Sequence, residues 1–469
     1  MNRQWIFLLL AASTAGLAHA ENLQTVYDHA LTADPTMQQA AALHMATRET
    51  RTQAILDMLP LNANATKNWS GVAGNSAPSP ALAYTSPTLA NLGLKVNLFS
   101  WDNWIALKAA SSTVAQGEAN YQAAQQDLIA RVAAQYFAVL NAEDVVAANE
   151  TALQSVSRQL DQAERRYEVG LIAITDVQIA RATRDSSAAA VIAAKRTLAS
   201  AEEQLRAITG EKYQRLAKPG DGMPLLSPDP ASEDTWVATA LSQNSNLIAN
   251  RLAADISRDG YLTAIGGHLP SVNASASRSW AVGGNDLTPT QQALLGVNTQ
   301  DIVWSVGVTV PLFSAGATQS RVRQARYTWK AASAGYERAL RQTEQQARDA
   351  YQGVISQIAQ VGAFKQAVQS NQISLQATEA GYEVGTKTAI DVLTARQQLV
   401  QAQTNYAQAK YSYLNNIVAL RQAAGNLDRS TVTLINGWLV EQPPAENSTP
   451  PGVAPPAPAA SPPATPASP

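Results

Sequence analysis

Residues of the kinds that catalyse reactions or bind metals are sparse and scattered in this sequence of 469 residues. It contains no cysteine, which excludes a disulfide framework and any cysteine-based nucleophile or metal site. Three of the four histidines, His29, His44 and His268, lie far apart, and their spacing places no two of them on one face. The sequence also lacks a nucleophile elbow and a glycine-rich phosphate loop. We therefore expect neither an enzyme nor a cofactor or metal site.

The polar and aromatic residues that do recur belong to a segment that the chain contains twice. Tyr-Glu-Val-Gly occupies residues 167–170 and again 382–385, and both copies continue into an Asp-Val pair, at Asp176 and Asp391. Each residue of the second copy lies 215 positions after its counterpart. A glycine that follows a long helical pattern is typical of a helix C-terminus, so each copy predicts the tip of a helical hairpin. Segments further upstream repeat too, which predicts two tandem structural repeats, residues 21–232 and 233–425.

The two ends of the chain differ from these repeats. Residues 1–20 combine Arg3, an apolar stretch and small residues ending at Ala20, which is typical of a secretory signal peptide. We expect residues 426–441 to form a C-terminal extension that packs on the helices. Residues 442–469 hold eleven of the 23 prolines and almost no charge, so they predict a disordered Pro/Ala-rich tail. A net charge of −2, with 15% charged residues, provides no basic surface for nucleic acid.

Long helices must position the two tips. Apolar residues recur every seven positions before each tip, a pattern that favours coiled-coil helices. In the first half they are Val132, Val139, Val146, Leu153, Leu160 and Tyr167; in the second they are Leu340, Ala347, Val354, Val361, Val368, Leu375 and Tyr382. No proline interrupts residues 102–169 or 317–384, so each predicts a helix of roughly 100 Å. Helices about half as long are predicted for residues 174–208, 390–424, 23–58 and 234–265.

Between the first short helix and the long helix of each half, the apolar period changes from helical to alternating. Alternate residues form one apolar face in the returning segments: Leu92, Leu94, Val96 and Leu98, then Ile302, Trp304, Val306, Val308 and Val310. Each half therefore predicts an outgoing and a returning strand, which makes four strands in all. Aromatic residues lie near the strand ends, as in outer-membrane barrels. A half-buried soluble sheet fits the alternation equally well. After residues 1–20, no segment is long and apolar enough for a spanning helix. Four strands cannot close a barrel, and open strand edges are not tolerated in lipid. Membrane strands would therefore require a barrel shared between chains.

At this point the chain resembles the TolC family of outer-membrane efflux ducts. The resemblance covers residues 21–425 and rests on Glu-Asn-Leu at 21–23, Val-Gly-Leu at 169–171, Ile-Thr-Asp-Val at 174–177, His-Leu-Pro at 268–270 and residues 382–392. It implies a mainly helical homotrimer in the outer membrane of a Gram-negative bacterium. Three chains would share a twelve-stranded barrel, four strands each, continued by a long α-helical tunnel in the periplasm.

The resemblance also implies a function and partners. The expected function is a duct that exports drugs and small toxic compounds, with proteins as a further class, from the periplasm or pump. It would be the exit component of a tripartite efflux or type I secretion system. The implied partners are a periplasmic adaptor protein, an inner-membrane pump of the RND, ABC or MFS type, and outer-membrane lipid. We expect the adaptor to contact the tips, at Val169, Gly170, Leu171, Val384, Gly385 and Thr386.

The resemblance finally implies a gate at the periplasmic end, held shut by polar links between hairpins. The links fall on Tyr382 and Lys387, which would face Thr175 and Asp176, with Gln159 and Glu379 as a further pair. The family pattern has arginine at position 387, and a lysine cannot make its planar two-point contact. A ring of carboxylates maps to Asp391. Thr394 stands where a second aspartate is expected, so we expect one ring, which would attract cations and titrate in the mildly acidic range.

Two other functions fit parts of the sequence. An exported trimeric coiled-coil structural protein or adhesin on a barrel anchor would use the same heptads, but it would not need helices that return at a glycine. A diffusion porin would need many more strands per chain.

Overall fold

The computed structural model describes residues 20–58, 61–67, 88–220, 222–282 and 302–440. The predicted signal peptide, apart from Ala20, and the predicted tail lie outside the described residues. Within them, none of the helices combines the length and apolar character that crossing a membrane requires.

Helices make up most of the described chain and repeat in the same order in the two halves. The first half contains α1 (Leu23–Ala33), α2 (Pro35–Leu56), α3 (Trp101–Glu168) and α4 (Ile174–Thr209). The second contains α5 (Glu233–Gln243), α6 (Ser245–Gly266), α7 (Ala317–Glu383) and α8 (Ala389–Ala424), followed by α9 (Arg429–Asn436). The two long helices have 68 and 67 residues and no break, as predicted, so each is about 100 Å long.

The first short helix of each half is two helices rather than one, so the predictions of single helices over 23–58 and 234–265 were wrong. Asp34 separates α1 from α2 with ψ of 117°, and its side chain accepts a hydrogen bond from the Met37 amide. Asn244 separates α5 from α6 with ψ of 114° and caps the Leu247 amide in the same way. Pro35 explains the first break, because proline disfavours a helical conformation in the preceding residue and fits the first helical position.

Four strands, two from each half, form an antiparallel sheet that joins the two halves. Its order is β1 (Leu61–Lys67), β2 (Thr88–Phe99), β4 (Ser271–Val282) and β5 (Val303–Thr309). Leu94 pairs with Ala276 in the centre, and Ala274 pairs with Val306 towards one edge. The predicted apolar face is uncovered, with Trp304 77% and Val308 65% exposed. In the described part of this single chain, β1 and β5 have no partner on their outer sides.

The hydrophobic core lies midway along the long helices, where the short elements surround them. Its largest buried side chains include Tyr136, Phe137, Tyr411, Tyr413 and Leu414. The C-terminal extension joins this core through Val432 and Ile435 of α9. It also pairs β6 (Leu439–Val440) with β3 (Lys218–Pro219) in a second, two-stranded sheet.

A partly buried polar network connects α3 of the first half to α8 of the second. The Lys218 ammonium lies 3.0 Å from Glu143 Oε2 and 2.9 Å from Asp144 Oδ1. The Tyr411 hydroxyl donates to the other Asp144 oxygen at 2.8 Å. Because these partners come from α3, β3 and α8, the network connects three elements in the middle of the molecule.

Candidate functional site: the tips of the two helical hairpins

Both hairpin tips turn on a glycine with a left-handed backbone. Gly170 has φ of 74° and Gly385 has φ of 79°, and no atom would crowd a Cβ at either position, so the requirement for glycine is conformational. The turns expose apolar side chains to solvent: Val169 is 69%, Leu171 72% and Val384 75% exposed. Such exposed apolar residues at the end of a rigid hairpin are typical of a protein-binding surface.

Each hairpin is closed by the same ion pair near its tip. In the first hairpin, Arg181 of α4 donates to Glu164 of α3 at 2.8 Å. In the second, Arg396 of α8 donates to Glu379 of α7. The two pairs are equivalent in the repeat, since each residue lies 215 positions from its counterpart. Each ion pair connects the two helices of one hairpin and does not join the two hairpins. We call the Glu164–Arg181 and Glu379–Arg396 pairs the hairpin staples.

The predicted gate residues lie at the tips but are not brought together within one chain. Thr175 and Asp176 lie in the first turn of α4. Tyr382 lies in the last turn of α7, and Lys387 lies in the connection between α7 and α8. Within the described residues, the side chains of Thr175, Asp176 and Lys387 have no hydrogen bond or ion pair. The Tyr382 ring instead lies under the Arg166 guanidinium, whose Cζ is 5.1 Å from the ring centroid.

Gln159 and Glu379 line the same cleft without bonding to each other. The cleft measures about 640 Å³ and lies between α3 and the second hairpin; Arg158, Arg165, Arg166 and Tyr382 also line it. Glu379 is bound by Arg396, and the Gln159 Oε1 atom is buried without a hydrogen-bond partner. A buried amide oxygen without a donor is costly, so it favours rearrangement or a further partner in the assembled protein.

Asp391 caps its own helix. Its Oδ2 atom accepts from the Thr388 amide at 2.8 Å and the Thr388 hydroxyl at 2.9 Å, while Thr388 Oγ1 accepts from the Asp391 amide. The backbone and side-chain hydrogen bonds from Thr388 lower the pKa of Asp391. This cap opposes the expected titration in the mildly acidic range, because it keeps the carboxylate ionised at lower pH.

Several residues at the tips were not anticipated. The Glu164–Arg181 and Glu379–Arg396 pairs carried a signal, since both partners are conserved between the repeats of this chain at a 215-residue offset. Thr388 and Asp391 have the spacing of a capping box, which was also readable. Arg166 had no such signal, because its repeat counterpart is Gly381.

The tips combine exposed apolar side chains, ion pairs within each hairpin and a cleft lined by arginines. Within the part of the chain that the structure describes, no group of three His, Cys, Asp or Glu side chains could hold a metal ion. The tips also carry the side chains of Thr175, Asp176 and Lys387, which have no hydrogen bond or ion pair among the described residues.

Comparisons with known proteins bear on both halves of this architecture. A family model described as "Outer membrane efflux protein" matches residues 26–211 and 236–426. Outer membrane protein TolC of Vibrio cholerae serotype O1 is 34% identical over 435 residues, covering 92% of this chain and 98% of the relative. TolC of Escherichia coli strain K12 is 33% identical, covering 96% and 94%.

Two more distant proteins extend the comparison. The alkaline protease secretion protein AprF of Pseudomonas aeruginosa is 26% identical over 439 residues, covering 92% of this chain and 90% of that protein. The crystal structure of the outer membrane protein VceC of Vibrio cholerae superposes with a TM-score of 0.71 at 22% identity, covering 87% of this chain and 97% of the other. That likeness shows a shared fold.

Proposed function

The chain belongs to the outer membrane efflux protein family, and from this premise we propose how its parts form an exit duct. It is an outer-membrane channel that exports substrates as the last component of an efflux or type I secretion system. The match of the family model to both repeats, together with a relative that is 34% identical and aligned over 98% of its own length, carries this conclusion. The family is described by efflux and one relative is named for protease secretion, so the proposed substrates include small compounds and proteins.

The channel would be a homotrimer whose sheets join into one barrel. In the part of the chain that the structure describes, the two outer strands of the four-stranded sheet lack partners on one side, and its apolar residues are exposed. Unpaired strand edges are not tolerated in lipid, and four strands are too few to close. Three chains that contribute four strands each satisfy both requirements and place the long helices around a shared periplasmic lumen.

The hairpin tips would receive the periplasmic adaptor. Val169, Gly170 and Leu171 form one contact, and Val384, Gly385 and Thr386 form the other. Their exposed apolar side chains support this assignment. The adaptor would connect the duct to an inner-membrane pump of the RND, ABC or MFS type.

The same tips would form the gate. Within the described residues the side chains of Thr175, Asp176 and Lys387 have no hydrogen bond or ion pair, so the links that they make with each other and Tyr382 would lie across chain boundaries in the trimer. Lys387 in place of an arginine makes its link a single-point contact. Gln159 would bond Glu379 once Arg396 releases that carboxylate. Each link contributes about 1 kcal/mol, so the gate would be held by several weak contacts.

The narrowest point would carry Asp391. Three copies around the axis would form one carboxylate ring that attracts cations. Thr394 adds no charge there, and its hydroxyl donates to the Ile390 carbonyl at 2.9 Å.

Single-channel conductance of the purified full-length protein in planar bilayers tests the proposed function. A duct should conduct weakly at rest and more strongly when gate links are removed, for example by Tyr382→Phe combined with Asp176→Ala. An exported fibre or adhesin, the second candidate, should not conduct at all, and a diffusion porin should conduct fully at rest. Absence of conductance in the wild type and in the double variant, with trimers intact, would overturn the duct.

A further inference from the structure

A contact between the two hairpins is made by an aromatic ring and a guanidinium. Arg166 lies in the last turn of α3, and Tyr382 lies in the last turn of α7. The Arg166 Cζ atom is 5.1 Å from the Tyr382 ring centroid, within the distance at which a cation is attracted to the face of an aromatic ring. Both side chains are partly buried, which strengthens the attraction because less water competes for the cation.

Other arginines at the tips are engaged differently. Arg181 and Arg396 donate to glutamates of their own hairpins. Arg166 has no carboxylate partner among the described residues. Arg165, its neighbour on α3, is exposed and has no ring contact in the same part of the chain. The staples therefore make each hairpin a unit, and Arg166 reaches from one unit to the other.

The repeat-equivalent residues of Arg166 and Tyr382 do not form the same contact. The repeat counterpart of Arg166 is Gly381, where a Cβ would lie 2.8 Å from Lys387 Cγ. The Gly381 carbonyl also accepts from the Thr386 and Lys387 amides, so the second tip folds against this residue. The counterpart of Tyr382, Tyr167, is exposed. The second hairpin thus has no side chain with which to return the contact.

We propose that Arg166 is a positioning residue of the gate, which holds the second hairpin against the first by stacking on the Tyr382 ring. This inference rests on the proposed duct function. It differs from the polar links because it uses the face of the tyrosine ring and lies within one chain. Opening of the second hairpin would separate the ring from the guanidinium.

Single-channel conductance in an Asp176→Ala background tests this role, because any bond from the Tyr382 hydroxyl to Asp176 is then absent. Arg166→Gln and Tyr382→Leu should each raise resting conductance by at least about twofold, since each removes the contact. Tyr382→Phe should raise conductance less than Tyr382→Leu, because it keeps the ring and removes only the hydroxyl. Arg165→Gln is the matched control, since it removes the same charge from the adjacent, exposed position, and it should raise conductance less than Arg166→Gln. Combining Arg166→Gln with Tyr382→Leu should add little to either change.

Three results would overturn the role of Arg166: no change in Arg166→Gln, an equal change in Arg165→Gln, or an equal effect of Tyr382→Phe and Tyr382→Leu. Arg166→Lys provides a second variant should Arg166→Gln fail to assemble, and it should retain part of the closure. A conducting wild type with unresponsive Arg166 variants would refute this inference alone. A wild type and variants that never conduct would refute the duct itself, and with it the gate.

Discussion

At the scale of single residues, equivalent carboxylates in the two repeats have different environments. Asp176 and Asp391 lie 215 positions apart, each in the first turn of a returning helix. Thr388 caps the second helix and bonds Asp391, whereas Ala173 occupies the same place in the first and offers no side-chain bond. Asp176 is therefore available for a partner on another chain, while Asp391 is held in one orientation by its own helix.

The first prediction concerns the charge of Asp391. Asp391→Asn should reduce cation selectivity and block by a trivalent cation, because the proposed carboxylate ring would supply the charge at the constriction. Selectivity of the wild type should persist into acidic solution, since the Thr388 bonds lower the pKa of Asp391 and keep it ionised. Thr388→Ala should raise that pKa, so selectivity should then fall at a higher pH. Reversal potentials in a salt gradient, measured over a pH series, check all three.

Thr394→Asp is the complementary variant, because it adds a second ring and should increase selectivity. If Asp391→Asn trimers keep wild-type selectivity and block, Asp391 does not line the constriction.

At the scale of elements, two devices repeat in both halves: the break in the first short helix and the staple of the hairpin. At the first break, Arg131 of α3 donates to Asp34 Oδ2 at 2.8 Å, and the same oxygen accepts from the Met37 amide at 3.0 Å. At the second, the Asn244 amide group donates to the Ala423 carbonyl of α8. Each break is thereby fixed to a long or returning helix.

The second prediction concerns Asp34. Asp34→Ala should lower the apparent unfolding free energy by about 2 kcal/mol, because it removes the cap and one of the two carboxylates that bind Arg131, with Asp127 as the other. Asn244→Ala should cost about 1 kcal/mol, because it removes a cap but no ion pair. Denaturant unfolding followed by circular dichroism measures both, and equal losses would contradict the part assigned to Arg131.

The same contribution should depend on pH. Burial acts to raise the pKa of Asp34, but hydrogen bonds from Arg131 and the Met37 amide outweigh it, and the pKa is lowered. The stabilisation is then present above the unfolded pKa and is lost as pH falls through the lower folded value. The Asp34→Ala difference should therefore shrink in strongly acidic solution.

The third prediction concerns the staples. Glu379→Gln should speed hydrogen exchange in the last turn of α7 and the first turn of α8 by about two- to fivefold, as expected for loss of a partly exposed ion pair. Glu164→Gln should have the same effect on the first hairpin. Hydrogen exchange by mass spectrometry resolves the two tips. Equal effects of either variant on both tips would show that the hairpins do not move as separate units.

At the scale of the whole molecule, the single chain leaves two surfaces incomplete. The sheet ends in unpaired strands with an uncovered apolar face, and the tips carry polar groups without partners in the described part of the chain. The middle is complete, with its core and the Lys218 network. We therefore expect the proposed assembly to complete the two ends.

The fourth prediction concerns that assembly. The protein should be a trimer in mild detergent, since only a shared barrel pairs all strand edges. Light scattering coupled to size-exclusion chromatography measures the mass after correction for detergent. A monodisperse monomer would contradict the shared barrel.

The sequence by itself determined the features that depend on neighbours along the chain. The heptads, the absence of proline and the two Val-Gly turns predicted α3, α7 and both hairpins with bounds within a few residues. Alternation predicted the strands and their apolar face. Pro35 after Asp34 is a signal for the break between α1 and α2, although our prediction of a single helix over 23–58 did not use it. No proline follows Asn244, so the break between α5 and α6 had no such signal. These features follow from local geometry, because periodicity and capping act over a few residues.

Only the tertiary structure decided which side chains meet. Glu379 could have bonded Gln159 by sequence, but the return of α8 places Arg396 beside it. Tyr382 was expected to bond Asp176, yet the packing of α3 against the second hairpin places Arg166 over its ring. Arg166 and Tyr382 are more than two hundred residues apart, and no local pattern relates them. Such contacts depend on how helices about 100 Å long lie against each other, and a change in packing of a few ångströms selects a different partner.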